Sequence, residues 1–302
     1  MSANREREPS SKGLRVAVVV EDGRPDGEPD DRTLYGALER AGGIGTPVPW
    51  GRALDPERFD VALVRTPWEY FRAPERFFAW ADACTVPLFN PAHVLRWNGH
   101  KRYLVELQAA GVARLPATVL VGPDARSERA EPLARALDAD RVVLKPAVSG
   151  GAFRTRVVDA DDAIDWSAED VGDFVAQAFV PAVCEEGEWS VTVFGGEVSH
   201  AVLKRPREGD FRVQEEHGGA VEVFPDVPDE LARAAQDVLE GARGLLGLAE
   251  PLVQARVDLV RDPSGGPPLL MELELIEPEL FLRARAGAAD ALVAALYRAS
   301  RS

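Results

Sequence analysis

Apolar and polar positions follow two regimes along this chain. Short β-branched runs at 14–20, 61–65 and 86–89 are separated by segments with helical periodicity at 30–41, stopped by Gly42-Gly43, and at 74–83. Unbroken apolar strands alternating with helices predict a parallel sheet covered on both faces. Residues 14–92 are therefore expected to form a small βαβ domain. Residues 1–13 are polar and aperiodic, and are expected to be a disordered leader.

Downstream, 93–110 reads as largely helical and 118–121 as a strand, with a short helix at 133–137 and a strand at 141–146 that Pro146 ends. A glycine-bearing loop follows, Ser149-Gly150-Gly151-Ala152-Phe153. Strands are expected at 173–180 and in a hairpin, 188–194 with 197–204, across Gly195-Gly196. An amphipathic helix at 228–246, strands at 252–260 and 268–275, and a helix at 288–298 complete the α/β pattern.

Composition narrows the class. No apolar run in the 302 residues reaches the ~18 needed to span a bilayer, and the first residues lack the apolar core of a secretory signal. Cys84 and Cys184 are too few for a disulfide framework or a zinc knuckle, so a cytoplasmic address is expected. The net charge of −15 argues against general nucleic-acid binding. Only four lysines, Lys12, Lys101, Lys145 and Lys204, stand among 31 arginines. A retained lysine marks a place for a compact ammonium where a guanidinium fork would not fit; leftover surface lysines are the plain alternative.

Four features carry chemistry. Lys101 lies in Trp97-Asn98-Gly99-His100-Lys101-Arg102-Tyr103, where it would reach a phosphate from a helix start or stand as an ordinary helix lysine. Lys145 ends an apolar strand, where an unpaired ammonium is costly and calls for an anionic partner. The loop after it could nest a phosphate in its backbone N–H groups, though a plain turn fits equally. Glu272 and Glu274 share one strand face, and Asp258 can lie beside them if the two strands pair. Three such carboxylates favour a divalent ion, Mg²⁺ by their hard oxygens, over a solvent-facing acidic strand. The strand ending Gln177-Ala178-Phe179-Val180, with Glu185, Glu186 and Glu188 beyond it, could offer its backbone to an adenine edge and an acid to a ribose.

Taken in order, these features resemble the ATP-grasp superfamily over roughly residues 93–290. More narrowly, Arg65-Thr66-Pro67-Trp68-Glu69-Tyr70, the Trp97–Tyr103 segment, Asp210-Phe211-Arg212-Val213-Gln214-Glu215-Glu216 and Glu272-Leu273-Glu274-Leu275-Ile276-Glu277-Pro278 are similar to the subgroup of the D-cycloserine (O-ureido-serine) cyclo-ligases. The resemblance implies an N-terminal domain (14–92), a central subdomain (93–178) and a C-terminal subdomain (179–302). It implies that Lys101 and Lys145 hold the phosphates of ATP beneath a closing loop, Ser149, Gly150 and Gly151. Gln177 and Val180 would read adenine, Glu188 the ribose, and Lys204 would lie near the phosphates. Arg256 would steady the reaction intermediate, and Asp258, Glu272 and Glu274 would bind Mg²⁺ or Mn²⁺. Glu274 departs from the asparagine of many members, and Ala152-Phe153 from a further glycine, which implies a stiffer loop. The implied reaction is attack of a carboxylate on the γ-phosphate, then displacement of phosphate from the acyl phosphate by an amine. Arg65, Trp68, Tyr70 and Arg212 are expected to grip the small-molecule carboxylate and amine substrates. Ring closure within one molecule uses the same residues, and a kinase or a non-catalytic ATP-binding module are the contrasting readings. A membrane partner is not expected, and a homodimer is left open.

Overall fold

The computed structural model describes residues 13–24, 27–207, 210, 212–213 and 218–301. The expected disorder of the leader up to Lys12, and Phe211, Gln214, Glu215 and Glu216 of the substrate-segment motif, lie outside the described residues.

The first unit alternates strands and helices as the pattern predicts. Strands β1 (Arg15–Val20), β2 (Ile44–Pro49), β3 (Val61–Thr66) and β4 (Leu88–Phe89) form a parallel sheet in the order β2-β1-β3-β4. Helix α1 (Asp31–Arg40) packs on the face carrying Val16, Val18 and Leu63, and α2 (Pro74–Asp82) on the face carrying Ala17, Val19 and Val64. The sequence reading missed β2. Its Pro47 and Pro49 argue against a strand, yet β2 is at the sheet edge, where a missing N–H is tolerated.

The expected helix at 93–110 is two helices, α3 (Ala92–Asn98) and α4 (Arg102–Ala109). The chain turns between them because Lys101 N donates to Ala147 O at 2.7 Å rather than continuing the helical ladder. Strand β5 (Thr118–Val121), helix α5 (Glu131–Leu137), and strands β6 (Arg141–Pro146), β7 (Arg156–Asp159) and β8 (Phe174–Ala178) follow. These strands form an antiparallel sheet in the order β5-β8-β6-β7, one face closed by α5.

After the short helix α6 (Ala182–Glu185) come β9 (Glu188–Phe194), β10 (Glu197–Arg205), β11 (Ala220–Phe224), helix α7 (Asp229–Leu246), β12 (Gln254–Val260), β13 (Leu269–Glu274) and helix α8 (Ala288–Ala299). The third sheet runs β11-β10-β9-β12-β13, antiparallel throughout. The packing crosses the expected segment boundaries. Val94, Leu104 and Leu107 of α3 and α4 join α7 in the core of this third sheet, and α8 packs beside α1 on the first sheet.

Strand β13 ends the third sheet, so its outer backbone groups need partners. Asn98 supplies two: its Nδ2 donates to Leu273 O at 2.7 Å and its Oδ1 accepts from Leu275 N at 2.8 Å. Tyr103 OH accepts from Leu273 N, and Asn90 Nδ2 donates to Leu275 O and Gln254 O. Two of the chain's three asparagines thus seal one sheet edge against the first unit. Asn98→Ala should lower stability by about 2–4 kcal/mol, since two buried backbone groups lose their partners. Urea unfolding checks this, and a change under ~0.5 kcal/mol would show that the edge is solvated instead.

Candidate functional site

The third sheet has one apolar and one ionic face. Along β12, Ala255, Val257 and Leu259 face α4 and α7, while Arg256 and Asp258 face a cavity of about 960 Å³. In β9 and β10, Glu188 and Lys204 reach the same side. Asp258 pairs with Glu272 and Arg256 with Glu274, so the two strands do bring the three carboxylates together. The register then slips between Asp258 and Leu259, which leaves Met271 as an extra residue on β13. The bulge turns Met271 and Glu272, neighbours in sequence, toward the same cavity.

One oxygen from each of Asp258, Glu272 and Glu274 lies within 4.8 Å of the others. These are hard donors at a spacing one divalent cation can bridge, so the residues present fit Mg²⁺. Protein cations also hold them together. Lys101 Nζ donates to Glu272 Oε1 at 2.5 Å, and Lys204 Nζ pairs with Glu188 at 2.7 Å and with Asp258 at 3.4 Å. Arg256 donates twice to Asp258, both at 2.9 Å, and once to Glu274; Ser190 Oγ donates to Asp258 at 2.6 Å. Burial opposes the charge of Asp258, but Arg256 and Lys204 hold it well below the usual carboxylate range. Glu274 goes the other way: burial, with Glu272 and Asp258 beside it, outweighs Arg256 and pushes it up to about 7.

Lys145 faces the ionic sheet from β6. Its Nζ donates to Gln177 Oε1 at 3.2 Å, and Gln177 Nε2 donates to Thr118 Oγ1 at 3.0 Å. Among the described residues it is the one cavity-lining cation with no carboxylate at ion-pair distance, and burial lowers its pKa. Gln177 has no exposed surface, and its amide is used on Lys145 and Thr118. Its side chain is thus taken up by Lys145 and Thr118, although Gln177 still borders the cavity. Val180 does line the cavity, together with Val143, Phe179, Val183 and Met271, which the sequence reading did not single out. They form an apolar slot of the kind a flat ring fills, and Met271 reaches it through the bulge.

The 149–153 loop crosses the cavity mouth. Ser149 Oγ donates to Pro146 O, and Ser149 O accepts from Lys101 Nζ at 3.3 Å. Gly151, Ala152 and Arg154 all take left-handed backbone, φ 56°, 55° and 54°, which strains the two residues that are not glycine. The Phe153 ring rests on Phe71 at 5.1 Å and stays 44% exposed, so core residues do not pack the loop.

Of the expected substrate residues, two have their guanidinium groups engaged by the protein. Arg65 borders the cavity but is 1% exposed; its Nε donates to Asp31 Oδ1 at 3.2 Å and its Nη1 to Pro278 O at 3.0 Å. In this structure it forms a buried clasp between the first unit and the segment after β13. Arg212 donates to both oxygens of Asp210, two residues back, at 3.1 and 2.8 Å. A short loop ring thus occupies the fork meant for a substrate. Tyr70 lines the cavity as part of a cluster with Phe77 and Phe78, and burial with Glu277 nearby raises its pKa well above the usual range. Trp68 Nε1 donates to Glu277 O at 3.1 Å, leaving its ring on the cavity wall.

Residues 16–90 match the family model described as the D-cycloserine synthetase DcsG N-terminal domain. The cycloserine biosynthesis protein DcsG of Streptomyces lavendulae is 31% identical over 255 residues, 76% of this chain and 79% of that protein. The chain belongs to the ATP-grasp ligases of the DcsG family. Its fold agrees: the crystal structure of D-cycloserine synthetase DcsG superposes with TM-score 0.80 at 26% identity, over 94% of this chain and 99% of that one. The ATP complex of D-alanine–D-alanine ligase from Bacillus anthracis gives 0.58 at 13% identity, over 96% and 98%, a likeness of fold. The protein is an ATP-dependent ligase. No helix among the described residues of this ATP-grasp ligase is long and apolar enough to cross a membrane.

Two expectations test the geometry. Arg65→Ala in this ligase should destabilise by about 3–5 kcal/mol, because Asp31 is left buried and unpaired. Denaturant melts read it; a stable variant that loses only carboxylate-substrate affinity would return Arg65 to the substrate site. Glu274 keeps its proton until about pH 7, while a metal needs the carboxylate. Mn²⁺ affinity of the nucleotide-free protein should therefore rise from roughly pH 6 to pH 8 with proton release, and Glu274→Gln should flatten that slope. Titration calorimetry in two buffers of different ionisation heat measures both.

Proposed function

We propose that the protein uses ATP to turn a small-molecule carboxylate into an acyl phosphate and joins it to a nitrogen nucleophile. The observation that carries this reading is the facing of Lys145, a buried ammonium without a carboxylate partner, against a sheet face on which Arg256 and three gathered carboxylates converge. Phosphoryl transfer asks mainly for positioning and charge neutralisation. The apolar slot of Val143, Phe179, Val180, Val183 and Met271 would hold the adenine ring, and Glu188 the ribose. Lys145, with Lys101 and Lys204, would meet the phosphates. Bound through Asp258, Glu272 and Glu274, Mg²⁺ would neutralise phosphate charge. Arg256 would then offer its guanidinium to the charge that develops on the carboxyl carbon's oxygens, and the 149–153 loop would keep water from the acyl phosphate.

A second reading, ring closure within one molecule, is favoured by the 31% identity that runs through 79% of a cycloserine biosynthesis protein. It places the protein in specialised metabolism, making an antibiotic of that class.

ADP release, screened with ATP and Mg²⁺ against amino acids and O-substituted serines, singly and in pairs, tests both. Joining of two molecules needs a pair, whereas ring closure proceeds with one. Added hydroxylamine should convert the acyl phosphate to a hydroxamate. Lys145→Ala should lower the rate by about a hundredfold or more. ADP formed together with a stable phosphorylated product, and no hydroxamate, would make the protein a kinase.

A further inference from the structure

After β13 the chain runs without regular secondary structure from Glu277 to Phe281, where left-handed backbone (φ 50°) leads into a 3-10 turn at Leu282–Ala284, and four of its carbonyls are held by side chains from different elements. Trp68 donates to Glu277 O, Arg65 to Pro278 O, Arg256 to Glu279 O, and Thr192 to Leu280 O, where His200 Nε2 also lies at 3.0 Å. Asp30 then accepts from Leu282 N and Arg283 N, both at 2.8 Å. So fixed, the strap alternates: Pro278, Leu280 and Leu282 are buried, while Glu277, Glu279, Phe281 and Arg283 line the cavity. A backbone held at this many points presents its side chains at set positions, as a specificity wall requires.

Among the described residues, seven of the eight acids on the cavity wall have a cation: Glu272 has Lys101, Glu274 and Asp258 have Arg256, Glu188 has Lys204, Glu279 and Asp30 have Arg283, and Glu28 has Arg24. Glu277 is the eighth. Among the described residues none donates a hydrogen bond to its carboxylate or pairs with it. It is half-buried, next to the loop that crosses the mouth: a methyl group added at Gly150 would lie 3.3 Å from Glu277 Oε1. A half-buried acid without a partner is costly to keep in a wall built otherwise of matched charges.

We propose that Glu277 is a specificity-determining residue whose carboxylate binds the amine of an amino-acid-like substrate. The cavity then has two complementary open charges, Lys145 for phosphate and Glu277 for a cationic nitrogen, on different walls. Burial, then Glu274, raises the Glu277 carboxyl well above the usual range, against the opposing pull of Lys101 and Arg256, neither of which reaches ion-pair distance. The strap sets it three residues beyond Glu274, on the side of the reacting centre that the first unit closes with Trp68 and Tyr70.

The inference rests on the ligase reading, and the test separates the two. With ADP and Mg²⁺ saturating, binding is measured for two pairs that differ by an amine: D-cycloserine against isoxazolidin-3-one, and D-alanine against propionate. The wild-type protein should prefer the amine of at least one pair by about tenfold or more. Glu277→Gln should abolish that preference with ADP affinity unchanged, and Glu277→Asp should retain part of it. A preference that survives in Glu277→Gln, or wild-type binding that does not distinguish either pair, overturns the assignment. Failure of the ligase reading shows separately, as the absence of ATP-dependent hydroxamate.

Discussion

The ionic face of the third sheet is the constraint around which the other parts are arranged. Asp258, Glu272 and Glu274 lie on adjacent strands with little water, and each such charge is costly unless matched. The match comes from three elements: Lys204 on β10, Arg256 on β12 and Lys101 at the turn before α4. The opposite face is apolar and must also be covered, which α4 and α7 do. Helix α4 therefore serves both faces. Leu104 and Leu107 fill the apolar side, while Lys101, at the start of the same helix, reaches across to the ionic one.

The same economy explains the loop. Lys101 holds Glu272 and the carbonyl of Ser149 at once, so the acid cluster and the loop share one cation. A phosphate arriving at Lys101 competes with both. The loop starts from strained backbone at Ala152 and Arg154, held down by Phe153 on Phe71 and by Arg154 on Asp170 at 3.0 Å. Strain of about 1–3 kcal/mol per residue would be released if the segment rearranged when its ammonium anchor changed partner.

Much of this was legible in the chain, for physical reasons that differ by element. Continuous apolar runs marked β1 and β3, and the Gly195-Gly196 turn marked the β9–β10 hairpin, because these depend on local pattern alone. Asp258, Glu272 and Glu274 were legible as a set because period-two alternation fixes which residues share a face. Lysine scarcity pointed to Lys101, Lys145 and Lys204, and all three line the cavity. What stayed hidden depended on neighbours distant in sequence. The bulge at Met271 has no signature of its own. The prolines of β2 are tolerated only because of its edge position. Arg65 and Arg212 looked like free forks because Asp31 and Asp210 become their partners only once α1 and the loop are in place. Glu277 stood inside a quoted motif without a role, since its lack of a partner is visible only when every other charge on the wall has been matched.

That contrast between matched and unmatched charge separates scaffold from function in this cavity. Arg65 is the largest fully buried polar side chain, yet its bonds to Asp31 and Pro278 leave it nothing to offer a ligand. By spanning β3, α1 and the strap, it holds Glu277 at a set distance from the sheet. Lys145 and Glu277 are the reverse case: among the described residues neither has an opposite charge at ion-pair distance, and burial is the largest cause that shifts each toward neutrality. A nucleotide phosphate at Lys145 and a substrate amine at Glu277 would together restore both charges on binding. Neither half of such a pair of substrates would do so alone, and this gives the site a physical reason to close fully only when nucleotide and amine-bearing substrate are present together.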